Sequence, residues 1–177
     1  MIKNVSAIYA ELADREAIRD CLYRYCRGID RCDADVLRSA YWPDATDDHG
    51  LFKGNIDGFI EWSWSGSQRM DITHHLLGNI LIAIERDVAH VESYVRAYHR
   101  MHDSDGGRYD LEISGRYVDR MERRNDEWRI GHRVVIRDGF RRYPDSADWT
   151  KGIHGTPFEP GLRSRDDRSY ELPKRDA

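Results

Sequence analysis

The sequence lacks any long hydrophobic run: no stretch approaches the ~20 apolar residues that a membrane-spanning helix needs. The opening residues, Met1-Ile2-Lys3-Asn4-Val5-Ser6, have no hydrophobic core of the kind a signal peptide carries, so the expectation is a soluble, cytoplasmic protein with no membrane partner. Cysteine is scarce. Cys21, Cys26 and Cys32 are odd in number and fall on or just after one predicted helix, which argues against disulfides between them. Their spacing is not that of a zinc site, and burial is the simpler role. Neither charge dominates: 28 Lys and Arg stand against 32 Asp and Glu, interleaved along the chain, so no nucleic-acid surface is expected. A phosphate-binding glycine loop, a nucleophile elbow and internal repeats are also missing. No cofactor and no metal is expected.

What is present favours one folded domain. Hydrophobic residues make up 40% of the 177-residue chain and aromatics 11%, including five Trp and ten Tyr, which argues against disorder. Residues 12–31 read as an amphipathic helix whose apolar stripe is Ile18, Cys21, Leu22, Tyr25, Cys26 and Ile29, with Asp14 as its N-cap. A short helix is expected over about 33–42, stopped by Pro43, then a turn and short strand over 44–52. A third helix is expected over about 55–68. The period then changes. Residues 72–85, 88–102, 109–123 and 127–139 read as strands, separated by turn sequences at Arg86-Asp87, 103–107 and 124–126. Helices followed by antiparallel strands predict an α+β domain over residues 1–140. Four of the five prolines lie beyond Phe140, and residues 141–177 read as an extended C-terminal tail, frayed at its end.

Two segments far apart in sequence carry the chemistry: Tyr25-Cys26-Arg27-Gly28-Ile29-Asp30 at a helix end, and Thr73-His74-His75-Leu76-Leu77-Gly78-Asn79 in a strand. Asp30 follows Cys26 by four residues, so it lies at the edge of the apolar stripe. His74 and His75 point to opposite faces of a strand, and periodicity does not say which points inward. An imidazole can take a proton near neutral pH, a carboxylate on its other nitrogen fixes the tautomer, and a phenol can steady developing negative charge. Such a set suits proton removal beside a carbonyl or a leaving group. In the 88–102 strand, Val91, Ser93, Val95, Ala97 and His99 share one face, as a cavity wall would need; His99 is either a second pocket histidine or the end of a packed face. His99 and His102 fall on opposite faces and do not make a metal pair. In the last strand either His132 or Arg133 can reach a pocket.

Taken together, Leu12 to Asp20, Tyr25 with Asp30, Tyr41 to Ala45, His74-His75 with Gly78-Asn79, and Trp128 to Arg133 resemble the SnoaL-like branch of the nuclear-transport-factor-2-like superfamily, across roughly residues 10–140. The resemblance implies a cone-shaped α+β barrel, with three helices packed on a curved mixed, mainly antiparallel sheet that encloses a pocket. Its enzyme members include scytalone dehydratase, hexachlorocyclohexane dehydrochlorinase and bile acid 7α-dehydratase, which use a His–Asp dyad and no cofactor. The resemblance places that dyad on His75 and Asp30, a catalytic tyrosine on Tyr25, and a pocket arginine on Arg133. Asn79 and His99 join Arg133 as substrate-binding candidates. Asp47 stands where the dehydrochlorinase has a pocket tryptophan, which implies a more polar mouth.

The expected function is a cofactor-independent, dehydratase-like lyase acting on a hydrophobic, aromatic or polycyclic small molecule. Carbon–carbon cleavage would use the same groups. An isomerase or cyclase on the same pocket is one alternative. A non-catalytic ligand-binding module, or one like the small subunit of ring-hydroxylating oxygenases, is another. The relatives imply a homo-oligomer, trimer or dimer.

Overall fold

The structure, a computed structural model, describes residues 4–67, 69–145, 152, 155, 156 and 158–171. The element order is α1 (Val5–Asp30), α2 (Ala34–Ser39), β1 (Tyr41–Asp48), β2 (Lys53–Asn55), α3 (Ile56–Ser67), β3 (Met70–Glu85), β4 (Val88–His102), β5 (Arg108–Arg124) and β6 (Glu127–Pro144). The strands form one six-stranded sheet in the order β2-β1-β6-β5-β4-β3. Every pairing is antiparallel except β1 with β6, so the sheet is mixed. It is not closed: β2 and β3 are its two edges. The helices pack on its concave side, an α+β cone of the expected class.

The predicted stripe of α1 is buried: Ile18, Cys21 and Leu22 are fully covered and Tyr25 nearly so. The helix begins earlier than its periodicity suggests, capped by Asn4, whose side chain accepts from Ser6 N. Asp14 is therefore no cap. It lies mid-helix and accepts from Trp128 Nε1 at 2.8 Å and from Arg123, partners far off in sequence that no local pattern announces. Helix α2 is shorter than expected because the chain enters β1 at Tyr41, with Ile130 N donating to Ala40 O across the seam. Pro43 does not end a helix but sits inside β1, where the register against β6 shifts between Tyr41 and Thr46 and a ladder N–H is not required.

Two of the sheet's one-residue bulges set which side chains face inward near the cavity. In β3, Gly78 pairs with Tyr94 and Ile80 with Ser93, leaving Asn79 as the extra residue at φ +38°. In β6, Ile130 pairs with Met121 and His132 with Arg120, leaving Gly131 unpaired. Since a strand alternates faces with period two, each bulge reverses the alternation beyond it. Trp128 and Ile130 point into the core before Gly131, and Arg133 does so after it.

The described part of the tail is tied to the domain. β6 runs five residues past the expected end, to Pro144. Residues 158–171 then return to the α1–α2 junction. There Arg165 grips Asp33 through two hydrogen bonds of 2.9 and 2.7 Å, Tyr170 Oη donates to Asp33 at 2.8 Å, and Arg27 lies over the Tyr170 ring. Asp33 also caps α2. Burial opposes its charge, but the bonds from Arg165 and Tyr170 outweigh it and hold the carboxyl at about 2. Pro157 and Pro173, and the end expected to fray, lie outside the described residues.

Candidate active site

The apolar stripe of α1 brings its last residue, Asp30, against the first third of β3. Asp30 Oδ1 accepts from His75 Nδ1 at 2.7 Å, and Oδ2 accepts from the His75 main-chain N–H at 2.9 Å. Both side chains are about nine-tenths covered. A carboxylate only accepts, so Nδ1 carries the proton and Nε2 of the neutral ring keeps its lone pair. Burial alone would raise the Asp30 pKa; the hydrogen bonds and charge of His75 more than offset this and hold it below the usual carboxylate range. His74, one residue earlier, faces outward.

His75 lines a cavity of about 420 Å³. Its wall is largely apolar and aromatic, with Phe59, Trp62 and Trp64 from α3, Val95 and Ala97 from β4, and Ile113 and Tyr117 from β5. His99 joins that wall and meets His75 edge to face, 5.6 Å between ring centroids. Burial, then the neighbouring His75, press its pKa down to about 4, so His99 is neutral, and its buried Nδ1 has no hydrogen-bond partner.

A second carboxylate–imidazole pair reaches the same cavity, and the sequence reading did not identify it. His49, just past β1, lines the wall. Its Nδ1 contacts Asp47 Oδ1, and the other oxygen of Asp47 accepts from Tyr41 Oη at 2.7 Å. His49 Nε2 lies 3.4 Å from Tyr25 Oη. The ring stacks on Phe59 at 4.5 Å. A signal was present: residues two apart on a strand share a face, so an Asp-x-His at a strand end sets an acid behind an imidazole. Tyr25 itself lines the cavity, and burial pushes its phenol pKa up, so it stays protonated.

Three expected substrate contacts are placed differently. Arg133 is wholly buried behind the cavity, not in its wall. It makes two hydrogen bonds to Asp119, at 2.6 and 2.7 Å, and its guanidinium lies between the rings of Tyr25 and Tyr117, 4.0 and 4.1 Å from their centroids. Burial opposes its charge, but Asp119 outweighs that and keeps it ionised. Asn79 is exposed because it is the bulged residue of β3, off the inward face it would occupy in a regular strand. Asp47 offers substrate no surface, since Tyr41 and His49 occupy its oxygens and its side chain is fully covered. His132 also points away, bonded to Thr46 Oγ1 at 2.7 Å. Among the described residues, no three His, Cys, Asp or Glu side chains converge as a metal site requires.

The profile of the SnoaL-like domain matches residues 10–134. The chain belongs to the SnoaL-like family. Solved structures agree on the fold. Hexachlorocyclohexane dehydrochlorinase LinA-type3 from Novosphingobium barchaimii superposes with a TM-score of 0.69 at 19% identity, covering 78% of this SnoaL-like chain and 95% of its own. A scytalone dehydratase-like protein from Novosphingobium aromaticivorans gives 0.67 at 21% identity, covering 77% and 92%. A protein from Kribbella flavida gives 0.67 at 20%, covering 74% and 95%. No curated protein matches this SnoaL-like sequence.

Proposed function

We propose that this SnoaL-like protein is a cofactor-independent lyase that removes a proton from a hydrophobic, aromatic or polycyclic small molecule and expels a leaving group from the adjacent position. The observation that carries the reading is the Asp30–His75 contact at the wall of an open cavity. His75 Nε2 takes the carbon-bound proton as general base. Asp30 fixes the tautomer and stabilises the imidazolium, an arrangement typically worth ~10²–10⁴ in rate. The carbon–hydrogen electron pair becomes the new double bond, and the leaving group departs with the bonding pair.

Loss of hydroxide also needs a proton, and Tyr25 is placed to give it. With His49 neutral, the phenol donates to Nε2. When His49 is protonated and held by Asp47, Nε2–H donates to the phenol oxygen, and the Tyr25 proton is free for the leaving group. Dehydration is the reaction these groups fit best. The named reactions of the dehydratase-like and dehydrochlorinase neighbours, which leave a double bond behind, are consistent with it. An isomerase or cyclase would begin with the same proton removal.

Proton removal can be tested before the leaving group is known. Cyclic aryl ketones such as 2-tetralone are incubated with the protein in D₂O without added cofactor, and exchange at the α-carbon is followed by NMR. Exchange by the native protein that is lost in His75→Ala, with folding retained, supports the lyase. Binding without exchange would reassign the pocket to ligand carriage. The expected homo-oligomer draws support from Leu76, Leu81 and Tyr94, which β3 and β4 expose on the face turned from the helices. Analytical ultracentrifugation that returns only monomer would remove it.

A further inference from the structure

We infer that the substrate is an organic anion, a flat apolar body carrying a carboxylate or similar acidic group near the cavity mouth. This rests on the lyase reading and names the substrate class for the same pocket. The charge inventory of the wall carries it. The chain as a whole has more acids than bases, 32 against 28. Yet the cavity wall includes Arg69, Arg137 and Arg163 and no aspartate or glutamate. Asp30 and Asp47 stand one layer back, behind His75 and His49, and Asp119 lies deeper still, paired with the buried Arg133.

The partners of these arginines sharpen the point. Many arginines elsewhere on the surface are tied to acids, as Arg124 is to Asp44 and Glu122, and Arg142 to Asp103, although Arg86 and Arg141 have no such partner among the described residues. Among the described residues, Arg69 and Arg137 have no ion pair and no side-chain hydrogen bond, and both are exposed at the rim. Arg163 comes from the returning tail and donates to Met70 O at 3.2 Å. Its positive charge is one of the influences that keep His99 neutral, which sets it on the His75 side of the cavity. A guanidinium takes a carboxylate through two parallel N–H···O bonds, and such bonds strengthen where apolar walls exclude water. Trp62, Trp64 and Phe59 supply those walls. The same positive rim would draw anions toward the mouth in low salt.

The test compares 2-naphthoate with its neutral amide, 2-naphthamide, by isothermal titration calorimetry on the full chain. The acid should bind tighter by about tenfold in low salt, the scale of a charge-assisted pair, and the gap should narrow as salt rises. Arg69→Gln and Arg137→Gln change exposed side chains, so folding should persist. Each should weaken the acid several-fold, leave the amide unchanged, and together remove the preference. Equal binding of acid and amide, absence of binding by both, or equal weakening of both by the variants overturns the inference. His75→Ala separates the two claims: it should abolish α-proton exchange while leaving the preference for the acid intact. Exchange lost in that variant with no acid preference in native protein would leave the lyase standing without the anion.

Discussion

Asp30 holds His75 at two points, the ring through Nδ1 and the strand through its main-chain N–H. One carboxylate thus sets both the tautomer of the imidazole and the docking of β3 on α1. The two roles separate by substitution. Asp30→Asn keeps an acceptor for one of the donors but loses the charge that stabilises the imidazolium, so α-proton exchange should fall by ~10²–10⁴ with a small stability loss. Asp30→Ala should cost about 1–3 kcal/mol in addition, because it strands a part-buried N–H. Urea denaturation beside exchange kinetics reads both effects.

His99 predicts how stability changes with pH. Its folded pKa of about 4 lies below the ~6.5 of an unfolded histidine, so the unfolded chain binds more protons between those values. Stability from this residue is complete above pH ~6.5 and is lost as pH falls towards 4, by up to about 3 kcal/mol at ~1.4 kcal/mol per unit. The groups that act on it are His75 on β3, Asp30 on α1, Arg163 on the tail and the main chain of Ala97 on β4. Melting temperatures from pH 4.5 to 7.5 should show the slope, and His99→Gln should flatten it.

The His49 arm predicts how variants sort by leaving group. On the proposed mechanism, loss of hydroxide needs a proton relayed through Tyr25 from His49. His49→Gln and Tyr25→Phe should each slow turnover of a substrate that loses hydroxide. Loss of a leaving group that needs no proton, such as chloride, should be far less sensitive to either change. Equal sensitivity of the two leaving groups, or unchanged loss of hydroxide in His49→Gln, would exclude this arm from catalysis.

The buried pair behind the cavity makes a prediction about folding rather than binding. Arg133→Met strips the buried Asp119 of its partner, where burial already raises the carboxyl's pKa, and should cost ~3–5 kcal/mol. Replacing both, as Arg133→Met with Asp119→Leu, should recover much of that loss. Chemical denaturation of the single and double variants decides it. A small loss in Arg133→Met, with weakened ligand binding, would return Arg133 to the role of substrate anchor.

The fold was legible wherever burial follows a period. The α1 stripe and the four long strands stand within a few residues of their expected bounds, because each buries one continuous face. The site was legible in part. Asp30 and His75, 45 residues apart, do meet. Asn79 was misplaced because a single-residue bulge reverses a strand's alternation without leaving a strong mark in composition, although its positive φ fits such a position. Arg133 does turn inward past the Gly131 bulge, but its two bonds to Asp119, 14 residues away on the neighbouring strand, hold it behind the wall. Arg163 was missed because its place depends on Arg165 and Tyr170 finding Asp33, contacts that span more than 130 residues and follow no period.

The single parallel pairing of the sheet has a kinetic meaning. Strands β3 to β6 are linked in sequence order by short turns and can zip together locally, whereas β1 joins β6 only across some 85 residues of intervening chain. Long-range closure of that kind is slow and is expected late in folding. His75 and His99 belong to the locally formed meander; Asp47 and His49 arrive with β1. The seam between β1 and β6 thus divides the pocket into an early half and a late half. A fluctuation that opens the seam would draw the Asp47–His49 pair away while leaving His75 and His99 on an intact meander.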